Sequence, residues 1–263
     1  MRLSVDVSLA YTLTEGDAVL LTLEAGAAEG QHIRHSTLKA GSATLHRIDS
    51  ARLWALDAGA RLDLRYRATV DITRTQTPLA SLTAQPMHAL TGDVLTYLRP
   101  SRFCQSDLFT DFAQSTFGTV SGGAKVAAIR DWVTTELTYA PGASHGATTA
   151  IETFQNLQGV CRDYAHLVCA LSRAAGIPAR YTSVYGPDVM PADFHAVAEV
   201  WLNGAWHLVD ATGMGAPDNL IIIASGRDAG DVAFMETENQ ADPIDQRVSV
   251  SRVSVSRVTD TSG

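Results

Sequence analysis

The chain has 263 residues, a net charge of −8, and 46% hydrophobic against 18% charged residues. That length and composition fit one large or two small globular domains with a sizeable core, and they exclude a disordered chain. The acidic balance argues against a nucleic-acid or anionic-membrane binder, and three cysteines with no C-x-x-C pair exclude a disulfide scaffold or a cysteine-rich zinc module.

Roughly the first 75 residues read as β-structure. Strands are expected over 4–13, 18–23 and, most clearly, 62–72, where apolar and polar residues alternate throughout. Gly16-Asp17, Ala25-Gly26 and Ala58-Gly59 punctuate them as turns. From 75 to 100 the pattern dissolves, and Pro78, Pro86 and Pro100 mark a connection. A helix is predicted over 124–137, with Val126, Ile129, Trp132, Val133 and Leu137 at helical spacing. A second is predicted over 161–175, with Tyr164, Leu167, Val168, Leu171 and Ala175 on one face, stopped by Gly176 and Pro178. Strands follow over 179–185, 194–202, 205–211 and 220–224. Strands, then helices, then strands make an α+β chain rather than an alternating one.

The organisation expected is an N-terminal antiparallel β-sandwich-like domain over 1–95, a core over 96–240, and a C-terminal strand and tail over 241–263. The tail repeats itself: Val248-Ser249-Val250-Ser251-Arg252 is followed by Val253-Ser254-Val255-Ser256-Arg257. A five-residue period moves the valines to the opposite face, so one edge strand with a frayed end is expected. The first residues lack the apolar core of a signal peptide, and no run approaches the ~20 apolar residues that cross a bilayer. The expected setting is cytoplasmic, without membrane or nucleic-acid partners.

Three residues carry the candidate chemistry. Cys161, after Gly159-Val160, falls at a helix start, where unpaired N–H groups and the helix dipole favour a thiolate. Cys169 lies two turns along the same helix and reads as packing; Cys104, in a polar loop context, has no assigned role. Asn203-Gly204 is a strong two-residue hairpin signal, and it pairs Leu202 with Ala205 and Trp201 with Trp206. In that register Val197 faces Asp210 and His195 faces Thr212. His195 and Asp210 then share a sheet face at a diagonal of ~7–8 Å, close enough for their side chains to meet. A thiol, an imidazole and a carboxylate in this order are a nucleophile, a base and its orienter. Asp163 could pair with Arg162 or Arg180 or favour the helix's first turn, His166 reads as structural, and Asp193 is a less natural orienter than Asp210. The eight histidines form no H-E-x-x-H or comparable cluster, so neither a metal nor a cofactor is expected.

The run Gly159-Val160-Cys161-Arg162-Asp163-Tyr164-Ala165-His166-Leu167, with Ala174-Ala175-Gly176-Ile177-Pro178-Ala179-Arg180-Tyr181, resembles the bacterial transglutaminase-like family of cysteine proteases. So do Asp193-Phe194-His195-Ala196, Glu199-Val200-Trp201 and Trp206-His207-Leu208-Val209-Asp210-Ala211-Thr212. The resemblance implies a papain-like core behind the β-domain, with Cys161, His195 and Asp210 as the catalytic residues. It implies cleavage of peptide or isopeptide-like amides through a thioester, on a peptide or protein substrate. Acyl transfer to an amine and a non-catalytic peptide-binding scaffold are the alternatives. The Cys161 backbone N–H is expected in the oxyanion hole, with Tyr139, Trp132 and Gln158 as candidate side-chain donors. No D-x-D-x-D-type loop suggests calcium dependence.

Overall fold

The computed structural model describes residues 1–253. The N-terminal region is a sandwich of two four-stranded antiparallel sheets. Its first strands are β1 (Arg2–Thr12), β2 (Val19–Leu21), β3 (Gln31–Lys39), β4 (Thr44–Arg47), β5 (Leu53–Leu56) and β6 (Arg61–Ile72). The alternation in β1 and β6 does what period 2 requires: Leu3, Val5, Val7 and Leu9, and Leu62, Leu64, Tyr66, Ala68 and Val70, all point inward and are buried. Val19, Leu21, Leu53 and Ala55 of the opposing sheet close the same core.

A connection of short 3₁₀ turns and one helical turn, α1 (Gly92–Leu95), leads to α2 (Thr110–Phe117) and α3 (Gly122–Glu136). A two-residue strand β7 (Thr138–Tyr139), helix α4 (Ala150–Asn156) and strand β8 (Gln158–Gly159) precede α5 (Cys161–Ala174). The chain then forms β9 (Ala179–Tyr185), β10 (His195–Leu202), β11 (Ala205–Val209) and β12 (Ile221–Gly226), an antiparallel sheet in the order β11-β10-β9-β12. α5 lies against it, and Leu167, Val168 and Leu171 pack with Ala196, Ala198, Val200 and Leu202 in one buried cluster. Arg173, in the last turn of α5, donates to the Ala179 carbonyl at 2.8 Å and ties the helix end to β9.

The chain then returns to the sandwich. β13 (Met235–Thr237) pairs with β2, and β14 (Asp242–Arg252) pairs with β1 as an edge strand. The first copy of the tail repeat lies in β14; its Val248 is buried, while the second copy, past Val253, falls outside the described residues. Among the described residues, no helix is long and apolar enough to cross a membrane.

Two differences from the sequence expectations stand out. β3, β4, β5, α2 and α4 are elements that the sequence pattern does not predict. Cys104 is not in a polar loop environment: it is fully buried, its thiol against the His166 carbonyl at 3.5 Å, and burial pushes that thiol's pKa up.

Candidate active site

The hairpin β10–β11 brings the site together. Asn203 and Gly204 both have positive φ (50° and 77°), the conformation of a type I′ turn, which the Asn-Gly pair adopts at little cost. The register follows: Leu202 faces Ala205, and Trp201 faces Trp206 with ring centroids 5.3 Å apart. His195 opens β10 and Asp210 follows the last residue of β11, so both sit at the same end of the sheet. The diagonal gap closes, and His195 Nε2 lies 2.8 Å from Asp210 Oδ2. Asp210 is itself fixed, because Oδ1 accepts from the Thr212 backbone N–H at 2.7 Å and from its hydroxyl at 2.6 Å.

Cys161 is the first residue of α5 and is partly exposed. Val160, before it, has no side-chain acceptor, so the cap is made from the other direction: Asp163 Oδ2 accepts the Val160 N–H at 2.8 Å. The fully buried Asp163 carboxylate is balanced by Arg162 at 3.1 Å and takes a further bond from the Ser144 hydroxyl. Arg180 is not its partner; that guanidinium pairs with Glu199 at 2.7 Å. Gly159 is required by this cap, since a Cβ there would lie 2.6 Å from Asp163 Cβ.

His195 is buried, and among the described residues its other ring nitrogen, Nδ1, has no hydrogen-bond partner. Burial opposes the imidazolium, but Asp210 and the neighbouring Cys161 thiol overcome it and raise the pKa to about 9. His195 and Asp210 thus meet as the hairpin register predicts, and the Cys161 thiol, which that register does not position, lies near the same ring. Of the three candidate donors, only Tyr139 reaches this point. The parallel β7–β8 pair sets Tyr139 opposite Gly159, and its hydroxyl lies against the Cys161 thiol and backbone N–H. Burial, then Cys161, pushes its pKa up to about 12. Trp132 packs instead into an aromatic cluster, 5.2 Å from Phe112 and 5.7 Å from Phe154. Gln158 is exposed on β8.

Thr212 and Ser144, which anchor the two carboxylates, were not anticipated. The Asp-Ala-Thr spacing is a signal that could have found Thr212, since a hydroxyl two residues on commonly caps an Asp. His166 is structural: it is fully buried, accepts the Ala229 N–H at 3.1 Å, and stacks on Phe103. A cleft of about 1750 Å³ lies between the sandwich and the sheet. Its wall includes Arg180, Glu199 and Asp210 but neither Cys161 nor His195. Among the described residues, no group of three or more His, Cys, Asp or Glu side chains could hold a metal ion.

A sandwich followed by a helix-and-antiparallel-sheet core, with a thiol at the helix start beside a strand histidine, is a transglutaminase-like architecture. Residues 110–211 match the model of the Transglutaminase-like superfamily. A crystal structure described as a "putative cysteine protease" from Cytophaga hutchinsonii is 31% identical, with a TM-score of 0.86 over 97% of this chain and 91% of that one. The chain belongs to the bacterial transglutaminase-like family. An uncharacterised protein of Mycobacterium leprae is 33% identical over 119 residues, which span only 42% of each protein. The periplasmic domain of TgpA from Pseudomonas aeruginosa is 19% identical, with a TM-score of 0.43 over 80% of this chain and 77% of that one.

Proposed function

We propose that the protein cleaves peptide or isopeptide-like amide bonds through a thioester on Cys161, with His195 as general base and acid and Asp210 as its orienter. The observation that supports this most is the 2.8 Å contact of His195 Nε2 with Asp210, which leaves Nδ1 for the thiol. A carboxylate accepts only, so it keeps the ring proton on Nε2 and the lone pair on Nδ1. The thiol proton passes to Nδ1, and the resulting thiolate–imidazolium pair is favoured by the α5 N-terminus and by Asp210.

The thiolate attacks the amide carbonyl carbon. The developing oxyanion is met by the Cys161 N–H and the Tyr139 hydroxyl, a phenol that stays protonated far above neutral pH. The C–N bond then breaks, and the Nδ1 proton leaves with the amine. Water adds to the thioester and gives a proton to Nδ1. The C–S bond breaks, the acid departs, and the thiolate–imidazolium pair is restored. A reactive thiol of this kind suits a reducing compartment, and we place the protein in the cytoplasm.

A library of peptides and acyl amides, assayed with wild type and Cys161→Ala in parallel, tests the reading. Cys161→Ala should lose about 10³-fold or more in turnover. Equal turnover by the two proteins refutes the nucleophile. Adding a primary amine separates the two outcomes for the thioester, since preferential formation of the new amide would make the enzyme an acyltransferase.

A further inference from the structure

Two residues before the proposed base stands a carboxylate that the reaction does not use. Asp193 lies two residues before His195, so their Cα atoms are within ~7 Å. Its side chain is exposed but not loose. Oδ1 accepts from the Phe194 backbone N–H and from Gln246 Nε2, each at 2.8 Å. Gln246 comes from β14, and its Oε1 accepts from the Tyr11 hydroxyl of β1 at 2.9 Å. The sandwich therefore holds this carboxylate at the rim of the site through a two-step strut. Asp193 is also near enough to Tyr139, whose hydroxyl lies against Cys161, to disfavour a phenolate there.

The charges around the thiol do not balance. In the reactive state a thiolate and Asp210 flank one imidazolium, which leaves one negative charge. Arg162 is committed to Asp163 and to the His145 carbonyl at 2.6 Å. Asp193 adds a second negative charge, and among the described residues Oδ2 takes no protein donor. A fixed, solvent-reachable carboxylate close to a reactive site draws cations and repels anions.

We propose that Asp193 is a specificity-determining residue that receives a cationic group, an ammonium or guanidinium, of the amide substrate close to the scissile bond. This rests on Cys161 being the nucleophile, and the test separates the two ideas. Cys161 is titrated with two methanethiosulfonates, one carrying 2-aminoethyl and the other 2-sulfonatoethyl. In each, the thiolate attacks the sulfenyl sulfur, a mixed disulfide forms and methanesulfinate leaves. The cation-to-anion rate ratio should fall by about five- to tenfold in Asp193→Asn, the size expected of a unit charge acting across ~8 Å of water-like medium. Asp193→Glu should restore the ratio, and Gln246→Leu should lower it in part. With peptide amides, Asp193→Asn should raise KM for Lys- and Arg-bearing substrates more than it changes kcat. An unchanged ratio in Asp193→Asn overturns the cation site and leaves the nucleophile standing. Failure of Cys161 to react with either reagent overturns the nucleophile and the cation site with it.

Discussion

Replacing Asp210 with Asn tests the site at its most constrained point. Asp210 Oδ1 is held by the Thr212 backbone N–H, a donor that cannot turn into an acceptor, and Oδ2 faces His195 Nε2. An Asn must therefore keep its oxygen on Thr212 and present its NH₂ to His195. The ring then accepts at Nε2 and carries its proton on Nδ1, aimed at the Cys161 thiol it should deprotonate. The rise of the His195 pKa from 6.5 to about 9 corresponds to about 3 kcal/mol of preference for the ion pair, at ~1.4 kcal/mol per tenfold. Removing Asp210 leaves burial to dominate. The variant should lose about 10²–10⁴-fold in kcat/KM near neutral pH, and the alkaline limb of its activity, near pH 9 in wild type, should move toward neutral by about two pH units. Stability gives a second readout with a definite sign. A pKa raised on folding stabilises fully below 6.5, and that stabilisation is lost as pH rises through 9. Urea unfolding of wild type should weaken between pH 6.5 and 9, and Asp210→Asn should show little of this slope. A variant with the wild-type rate and alkaline limb would refute the argument.

The other perturbations follow from neighbouring groups. His166, fully buried and held neutral, has a pKa lowered by burial to about 3. Its stabilisation is present above 6.5 and is lost as pH falls toward 3. The unfolding free energy from urea melts should therefore drop by about 2–3 kcal/mol from pH 6.5 to 4.5, and His166→Gln, which can still accept the Ala229 N–H, should flatten that limb. Gly159→Ala drives a Cβ against Asp163, and denaturant unfolding should show a loss of about 1–3 kcal/mol together with reduced activity. Iodoacetamide should modify Cys161 about tenfold or more faster than Cys104 and Cys169, both fully buried, as read by peptide mass mapping; equal labelling would argue against an activated thiol.

Local chemistry made some of this site legible and hid the rest. α5 could be read because its apolar period is clean and Gly176 ends it; the hairpin could be read because Asn-Gly tolerates two positive φ values. The position of His195 beside Asp210 followed from that turn alone. β3 escaped because most of it is exposed, leaving no alternation to detect. α4 had a signal in Thr149-Ala150-Ile151-Glu152, a capping box that the structure makes with Glu152 accepting the Thr149 N–H at 2.8 Å. Tyr139 could not be chosen over Trp132 and Gln158 because the choice depends on the two-residue β7–β8 pair, a contact between segments 20 residues apart. The burial of Cys104 is likewise tertiary, set by packing beneath α5 rather than by its polar neighbours in sequence. Gln246 lies 53 residues beyond Asp193, with no local pattern joining them.

How firmly the sandwich holds the β9–β12 sheet turns on one buried amide. Gln31, at the start of β3, acts as a short piece of strand against β12. Its Oε1 accepts the Ile222 N–H at 2.7 Å, and its Nε2 donates to the Ile222 and Gly26 carbonyls, each at 2.8 Å. Around it, Tyr185 of β9 donates to the Leu23 carbonyl at 2.6 Å and stacks on Tyr66, and Ile221 and Ile223 sit in the sandwich core. Gln31→Leu preserves bulk but strips the partners from the Ile222 N–H and the Gly26 carbonyl, while the Ile222 carbonyl keeps the Gly26 N–H at 3.0 Å. Two buried polar groups left unpaired should cost about 2–5 kcal/mol in urea unfolding. The consequence for the site is specific. β14, which carries Gln246, belongs to the same sandwich, so loosening the sandwich from β12 should blunt the charge preference of Cys161 modification before it abolishes modification itself. Gln31→Leu that unfolds like wild type would show that the apolar interface alone holds the two sheets in place.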